Sequence, residues 1–315
     1  KMKVIFMGTP DFSVGTLRAL VEAGYDVAGV VTQPDKPKGR GHSLSYTPVK
    51  EEALRHGLTV YQPSRVRDPE FIETLKALCP DVIVVVAFGQ IIPREILDLA
   101  PYGCINVHAS LLPKYRGAAP IQWAVIDGEK ESGVTIMRMD EGLDTGDMMA
   151  KAVVALDPQE TSGSLFEKLS QVGADLLVQT LKSMEEGKVA CEKQPAESPT
   201  PYARMIQKEM GKIDWNCPAE KIERLVRGLS PWPSAYTYLK KKTLKIWKAH
   251  VVQEPAQAEP GSVVRTDKKG IYVACADYVL CLDEVQLEGK KRMACADFLR
   301  GYRVEESTRL TMNKE

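Results

Sequence analysis

The sequence predicts an α/β chain in two parts, a doubly wound, mainly parallel sheet followed by a small β-barrel. Three observations carry this. The first half alternates short apolar runs with segments of helical spacing, the pattern of parallel βαβ units covered on both faces. A stretch rich in Pro, Ser and charge, "ACEKQPAESPTP" (190–201), then breaks the alternation. Beyond it come short alternating segments separated by turns, which suit a barrel. A chain of 315 residues is expected to form two domains rather than one core. We place the first at 1–189, a linker at 190–207 and the second at 208–315.

The elements follow in order. "KVIFMG" (3–8) is a buried-strand run, and "TLRALVEAG" (16–24) has helical spacing with a glycine stop. "DVAGVVTQ" (26–33) is the next strand, and the helix-like "PVKEEALRHG" leads to "LTVYQP" (58–63). "DPEFIETLKALC" (68–79) opens with an Asp-Pro helix start, and "DVIVVVAFG" (81–89) is the most apolar strand of the chain. A short "PREILDLA" helix precedes the strand "CINVHAS", and "APIQWAVIDG" and "GVTIMRMD" (133–140) follow as helix and strand. Residues 161–187 read as one long helix. "PAEKIERLVRGLS" (218–230) is helix-like, and the segments after it supply the barrel. The first half is therefore Rossmann-like in its alternation, and ligands of such sheets bind beyond the carboxyl ends of the strands, where the strand order switches.

Composition excludes several classes. The longest apolar run, Val82–Phe88, is far too short to span a bilayer, so no membrane association is expected. The chain enters a strand directly, so no signal or transit segment is expected and Met2 is taken as the natural start. Seven cysteines without a C-x-x-C pair argue against a zinc site or a disulfide framework, and no metal is expected. An odd count fits a reducing cytoplasm. The formal net charge of zero conceals an asymmetry. Residues 1–189 carry 20 Lys+Arg against 25 Asp+Glu, and residues 190–315 carry 22 against 17. A basic second half hints at a polyanionic partner.

"GTPDFS" (8–13) follows the first strand, but G-x-G-x-x-G spacing is absent, so it reads as a tight turn and not as a dinucleotide site. No Walker-type loop is present. Asn106 and His108 stand two apart in a buried strand, so their side chains share a face. They are either satisfied core residues or working groups. "MDEGLDTGD" (139–147) tips the balance, because a carboxylate from a Gly-kinked loop suits orienting His108. That loop is expected to leave its strand at the same rim as His108. "QPDKPKGRGHSLSYTPVK" (33–50) is long for a βα connection and carries Lys36, Lys38, Arg40, His42 and Lys50. It is either a solvated surface loop or an arm reaching nucleic-acid phosphates. Lys240, Lys241, Lys242, Lys245 and Lys248 accompany Trp247, which suits either a nucleic-acid face or a lysine-protected edge.

Together these residues resemble the folate-dependent formyltransferase family. The likeness runs through "INVHASLLPKYRGAAPIQWAVIDGEKESGVTIMRMDEGLDTGDMM" and extends to "GTPDFS", "QPDKPKGRG", "VVVAFGQIIP", "IDWNCPAEKIERLVRGLSPWPSAYT" and "LKIWKAH". The resemblance implies a catalytic set of Asn106, His108 and Asp144 and the co-substrate 10-formyltetrahydrofolate. It implies a folate pocket lined by Phe88, Gly89, Gln90, Ser110, Leu111, Leu112, Pro113, Met139, Asp140, Gly142 and Leu143. It also implies an OB-type second domain and methionyl-initiator-tRNA as acceptor, held by Lys36, Lys38, Arg40 and the five lysines of the barrel. A bacterial, cytoplasmic monomer is expected. An amino sugar on a nucleotide, or water in a hydrolase, would be the alternative acceptor; the basic loop argues for tRNA.

Overall fold

The computed structural model describes residues 1–39, 41 and 43–314. One unit comprises Lys1–Pro120, Glu131–Ala155 and Phe166–Ala203; the other comprises Ile121–Lys130, Leu156–Leu165 and the described residues from Arg204 onward. In chain order the first elements are β1 (Lys3–Gly8), α1 (Asp11–Glu22), β2 (Asp26–Val31), β3 (Lys36–Pro37), β4 (Leu44–Ser45) and α2 (Pro48–Arg55). Next come β5 (Val60–Tyr61), α3 (Pro69–Ala77), β6 (Val82–Val86), α4 (Arg94–Leu97) and β7 (Cys104–His108). They are followed by α5 (Pro120–Ile126), β8 (Glu131–Arg138), β9 (Asp147–Ala155) and α6 (Ser162–Glu185).

The first unit's sheet has the order β5-β2-β1-β6-β7-β8-β9. From β5 to β7 all neighbours are parallel, as the βαβ alternation predicts. The chain builds outward from β1 to β2 and β5, then returns to lay β6 on the other side of β1. This reversal is the switch point, and the carboxyl ends of β1 and β6 flank its crevice. β6 is buried along its whole length because it lies between β1 and β7, which explains its unbroken run of Val and Ile.

The last two strands are the antiparallel part of this mainly parallel sheet. β8 pairs antiparallel with β7, and β9 antiparallel with β8. The connection between β8 and β9 holds no helix, and a short link of that kind can only reverse the strand. β9, which has no counterpart in the sequence reading, is the edge strand, and from Lys151 on its positions alternate exposed and half-buried.

The 33–50 segment contains the small β3–β4 hairpin, in which Lys36 pairs with Ser45 and Pro37 with Leu44. Its base is fastened. Lys50 Nζ lies 2.9 Å from Asp35 Oδ2, and Gln62 donates to Asp35 Oδ1 at 2.8 Å. The Gln62 amide and then the Lys50 ammonium hold the Asp35 carboxyl below its ordinary range. Thr47 caps α2 by accepting from the Lys50 amide at 3.1 Å, with Pro48 in the first turn. Arg40 and His42 lie outside the described residues.

The second unit holds α7 (Ala219–Gly228), β10 (Ala235–Leu239), β11 (Lys242–Pro255), β12 (Val263–Thr266), β13 (Ile271–Ala274), β14 (Tyr278–Leu287), β15 (Met293–Ala294) and α8 (Cys295–Gly301). Its sheet runs β10-β11-β14-β13-β12, with β15 on β14. The C-terminal tail bonds to both outer strands. Thr311 bridges Tyr238 of β10, and Arg309 bridges Ser262 just before β12. These contacts bring the tail against both outer strands of the expected barrel. α8 was not anticipated; Cys295 and Phe298, three apart, turn one face of this short helix into a core that includes Leu244, Ile246, Leu280 and Leu282.

Packing of α1 on α2 depends on one buried acid. Glu52 accepts from Arg18 at 2.9 and 3.1 Å, from Arg55 at 2.7 Å and contacts His56 at 2.7 Å, with only 2% of its side chain exposed. The Arg18 hydrogen bond is the main cause that lowers the carboxyl from 4.5 to about 2. A carboxyl lowered by folding stabilises the fold above its unfolded pKa, and this contribution is lost as pH falls through the folded value. The unit should therefore lose stability between about pH 4.5 and 2. Glu52→Gln should cost about 1.5–3 kcal/mol at neutral pH and flatten that acid limb in urea unfolding. Parallel acid limbs in the two proteins would contradict this assignment.

Candidate active site

Asn106 and His108 share one face of β7, as period two requires. Asn106 faces Val85 of β6 on one side and Met137 of β8 on the other. Its Nδ2 donates to the Val85 carbonyl at 2.9 Å. A carbonyl only accepts, so this bond fixes which end of the amide is nitrogen. One amide hydrogen is left over, and the buried Oδ1 has no partner among the described residues. An orphaned acceptor in a partly buried amide is costly unless a bound molecule completes it.

The turn after β7 is held by its cross-strand neighbour. Thr135, opposite His108, is fully buried; its Oγ1 donates to the Ser110 carbonyl at 2.7 Å and accepts from the Leu112 amide at 3.1 Å. Ser110 Oγ donates to the Lys114 carbonyl at 2.6 Å, and Lys151 reaches the Leu112 carbonyl at 2.6 Å. This backbone then returns over His108. The Tyr115 carbonyl lies 2.9 Å from His108 Nε2, so Nε2 carries a proton and donates. Nδ1 lies 3.7 Å from Asp144 Oδ1, while Asp144 Oδ2 accepts from the Gly117 amide at 2.9 Å. An acceptor oxygen therefore faces each ring nitrogen and fixes the plane of the ring.

Asp144 reaches this position by an unexpected route. Because β8 is antiparallel to β7, its end lies beside the start of β7, where the Met139 amide donates to the Cys104 carbonyl at 2.9 Å. The expectation of a shared rim is thus corrected; the 139–146 loop must double back to reach His108. Asp140 shapes this fold, its Oδ1 accepting from the Gly142 amide at 2.9 Å and from Thr145 Oγ1 at 2.7 Å. Gly146 permits the reversal, since a Cβ there would stand 1.8 Å from the Arg138 carbonyl. Leu143 is exposed, and Glu141 pairs with Arg94 at 3.2 Å.

Of the residues expected to line folate, Phe88 buries its ring in the core, and its carbonyl accepts from Thr9 at 2.7 Å. Gly89 takes φ +97 with the Gln33 side chain against it. Gln90 donates to Gln33 Oε1 at 3.0 Å and to the Pro63 carbonyl at 3.2 Å, and accepts from the Val66 amide at 2.9 Å. Met139 packs against both the cluster containing Phe88 and the one containing Leu112, linking the three segments. Leu111 and Pro113 are half-buried at the mouth of β7.

Residues missed by the sequence reading lie in the stretch read as a linker. Thr200 Oγ1 accepts from the Tyr115 amide at 2.8 Å, Ser198 Oγ donates to the Pro113 carbonyl at 2.7 Å, and the Ala203 amide donates to the Arg116 carbonyl at 2.7 Å. Its Pro, Ser and Thr content resembles that of any tether, so composition alone held no signal of these contacts.

The basic candidates divide into groups. Lys36 and Lys38 are exposed on the β3–β4 segment, while Arg40 lies outside the described residues. Lys240 and Lys241 form the left-handed turn before β11, with Lys242 exposed beside them. Lys245 and Arg292 both approach the Trp247 ring, at 5.7 and 4.4 Å from its centre; Arg292 was missed because it lies far along the sequence. Lys248 instead faces Glu284 at 3.7 Å, displaced by an irregularity in the β11–β14 register. On the barrel, His250, Cys281 and Asp283 also meet, their ligating atoms within 4.8 Å. His250 Nδ1 contacts Asp283 at 2.7 Å, and burial pushes the Cys281 thiol up to about 12. The trio therefore reads as a hydrogen-bonded His–Asp pair beside a protonated core cysteine.

Residues 2–181 match the family model described as formyl transferase, and residues 205–303 match that of the formyl transferase C-terminal domain. The chain belongs to the formyl transferase family. Among its relatives is a methionyl-tRNA formyltransferase of Agathobacter rectalis, 59% identical over 311 residues, which are 99% of this chain and 100% of that protein. The corresponding protein of Caldanaerobacter subterraneus is 53% identical over 98% of this chain and 99% of its own length. Solved formyl transferase folds include WlaRD, a sugar 3N-formyl transferase, at 18% identity and TM-score 0.67 over 92% of this chain and 99% of that one. HypX from Aquifex aeolicus, solved with tetrahydrofolic acid, matches at 17% identity and TM-score 0.61 over 95% of this chain and 47% of that one. Among the described residues no helix is long and apolar enough to cross a membrane.

The loop that carries Asp144 gives a direct test of its packing. Gly117 has φ +124, and a Cβ there would lie 2.7 Å from the Ala203 carbonyl. Gly117→Ala should cost about 1–3 kcal/mol in urea unfolding and lower activity, because the Gly117 amide would leave Asp144. A variant with wild-type stability and rate would show that this close approach is not needed.

Proposed function

We propose that this formyl transferase moves the formyl group of 10-formyltetrahydrofolate to the α-amine of methionyl-initiator-tRNA. The observation that carries the acceptor is the 59% identity to a methionyl-tRNA formyltransferase across both units. The orphaned Oδ1 and spare amide hydrogen of Asn106, beside His108, are the polar groups a bound formyl donor would complete. Bound 10-formyltetrahydrofolate supplies an activated formyl carbon. The chain's own residues do the rest. The spare Asn106 amide hydrogen, which never titrates, stabilises negative charge on the formyl oxygen; such a donor is worth about 2.7–4 kcal/mol. His108, anchored through Nε2 on the Tyr115 carbonyl, keeps Nδ1 for donating to that charge or for receiving the proton that the amine releases. Asp144 Oδ1 faces Nδ1 and helps fix the orientation of the ring.

Phe88, Gly89, Gln90, Ser110, Leu111, Leu112, Pro113, Met139, Asp140, Gly142 and Leu143 surround the folate, mostly through their backbone. Lys36, Lys38 and Arg40 meet the acceptor stem, and Lys240, Lys241, Lys242, Lys245 and Lys248 give the barrel its basic face, joined by Trp247 and Arg292. A charged tRNA as substrate fits a cytoplasmic monomer. The test is transfer of labelled formyl to methionyl-initiator-tRNA, free methionine and a nucleotide-linked amino sugar in parallel. Label is expected only on the charged tRNA, with a rate that falls steeply with salt. Label on the sugar, or release of formate, would overturn the acceptor.

A further inference from the structure

Gln194, in the stretch that composition reads as a tether, is bound to the catalytic loop. Its side chain is 6% exposed, and every polar bond it makes has a defined direction. Nε2 donates to the Asp144 carbonyl at 2.9 Å and to the Gly146 carbonyl at 2.7 Å. Oε1 accepts two bonds from Arg116, from Nε at 3.2 Å and Nη2 at 3.0 Å. Arg116 is itself buried and continues to the carbonyls of Pro195 at 2.7 Å and Ala196 at 3.2 Å. A guanidinium only donates and a carbonyl only accepts, so the amide has one orientation.

This matters because of what the loop must do. Residues 139–146 leave β8 at the end remote from His108 and double back. Asp144 holds φ +57, an uncommon conformation for a non-glycine residue that the surroundings have to enforce. Gln194 grips the loop at Asp144 itself and again two residues on. Arg116 is next to Tyr115, whose carbonyl anchors His108, and to Gly117, whose amide binds the Asp144 carboxylate. One buried Arg–Gln pair therefore ties together the backbones that hold both the histidine and the aspartate.

We infer that Gln194, locked by Arg116, is a positioning residue that sets the Asp144 carboxylate against His108. The inference rests on the proposed role of Asp144 in formyl transfer. Gln194→Glu is the informative variant: it keeps the length and the Arg116 contact, but turns a carboxylate oxygen toward two carbonyls. Gln194→Met removes the donors without adding charge and serves if the first variant does not fold. Single-turnover transfer at saturating folate and tRNA should fall by about tenfold or more, with KM for both substrates within about twofold of wild type. In an Asp144→Asn background the same changes should cost less than about twofold further, since residues acting through one another are not additive.

A wild-type rate in both Gln194 variants, with Asp144→Asn crippled, would overturn the inference and leave the reaction assignment standing. The same tenfold loss on top of Asp144→Asn would assign Gln194 to the scaffold alone and also overturn it. A fully active Asp144→Asn would remove the proposed role of Asp144, and the inference with it.

Discussion

Polar side chains inside a sheet must find partners within the sheet's own backbone, and the end of β7 is built around that constraint. Asn106 uses the Val85 carbonyl of the neighbouring parallel strand; His108 uses a carbonyl from the turn that follows its own strand. Thr135, facing His108 from β8, fastens that turn at two points. The strand on each side of β7 thus contributes fixed bonds, one from β6 and two from β8. Without the register Asn106–Val85 and His108–Thr135, neither polar group could remain on a largely buried strand.

The rest of the first unit follows from making that arrangement rigid. β8 and β9 turn antiparallel and send their connecting loop back to carry Asp144 to His108. A loop of that kind, with Asp144 in a left-handed conformation, needs external support. The 191–203 stretch supplies it, bonding to Pro113, Tyr115, Arg116, Asp144 and Gly146. Groups held in this way are ready for charge to develop beside them, and such readiness is the main means by which an enzyme stabilises an oxyanion. The second unit solves a different problem. The C-terminal tail lies against both outer strands of its barrel, and on the barrel a tryptophan is flanked by Lys245 and Arg292.

Much of this was legible in the residues. The apolar runs at Lys3–Gly8, Val82–Val86 and Cys104–His108 identify themselves as strands because parallel, twice-covered strands leave no polar face. Asn106 and His108 stand out for the same reason, as polar breaks in such a run. The route to Asp144 was not legible: strand direction depends on pairing across the sheet, and "GVTIMRMD" reads alike in either direction. β9 was missed because half of its positions face solvent, which makes it resemble a loop. Thr135, Gln194 and Thr200 were hidden because their partners, mostly backbone atoms, lie far along the chain, and no spacing rule marks such a bond. α8 escaped notice because it is short and only two of its residues, Cys295 and Phe298, are fully buried.

The proposed division of labour gives the chemistry to Asn106, His108 and Asp144 and the RNA to the basic surfaces. It is tested most directly by measuring single-turnover formyl transfer and tRNA affinity together in Asn106→Ala and His108→Ala. Each change is expected to slow transfer by about tenfold or more while tRNA affinity stays within about twofold. Undiminished transfer by either variant, or a loss of transfer explained entirely by weaker tRNA binding, would contradict it.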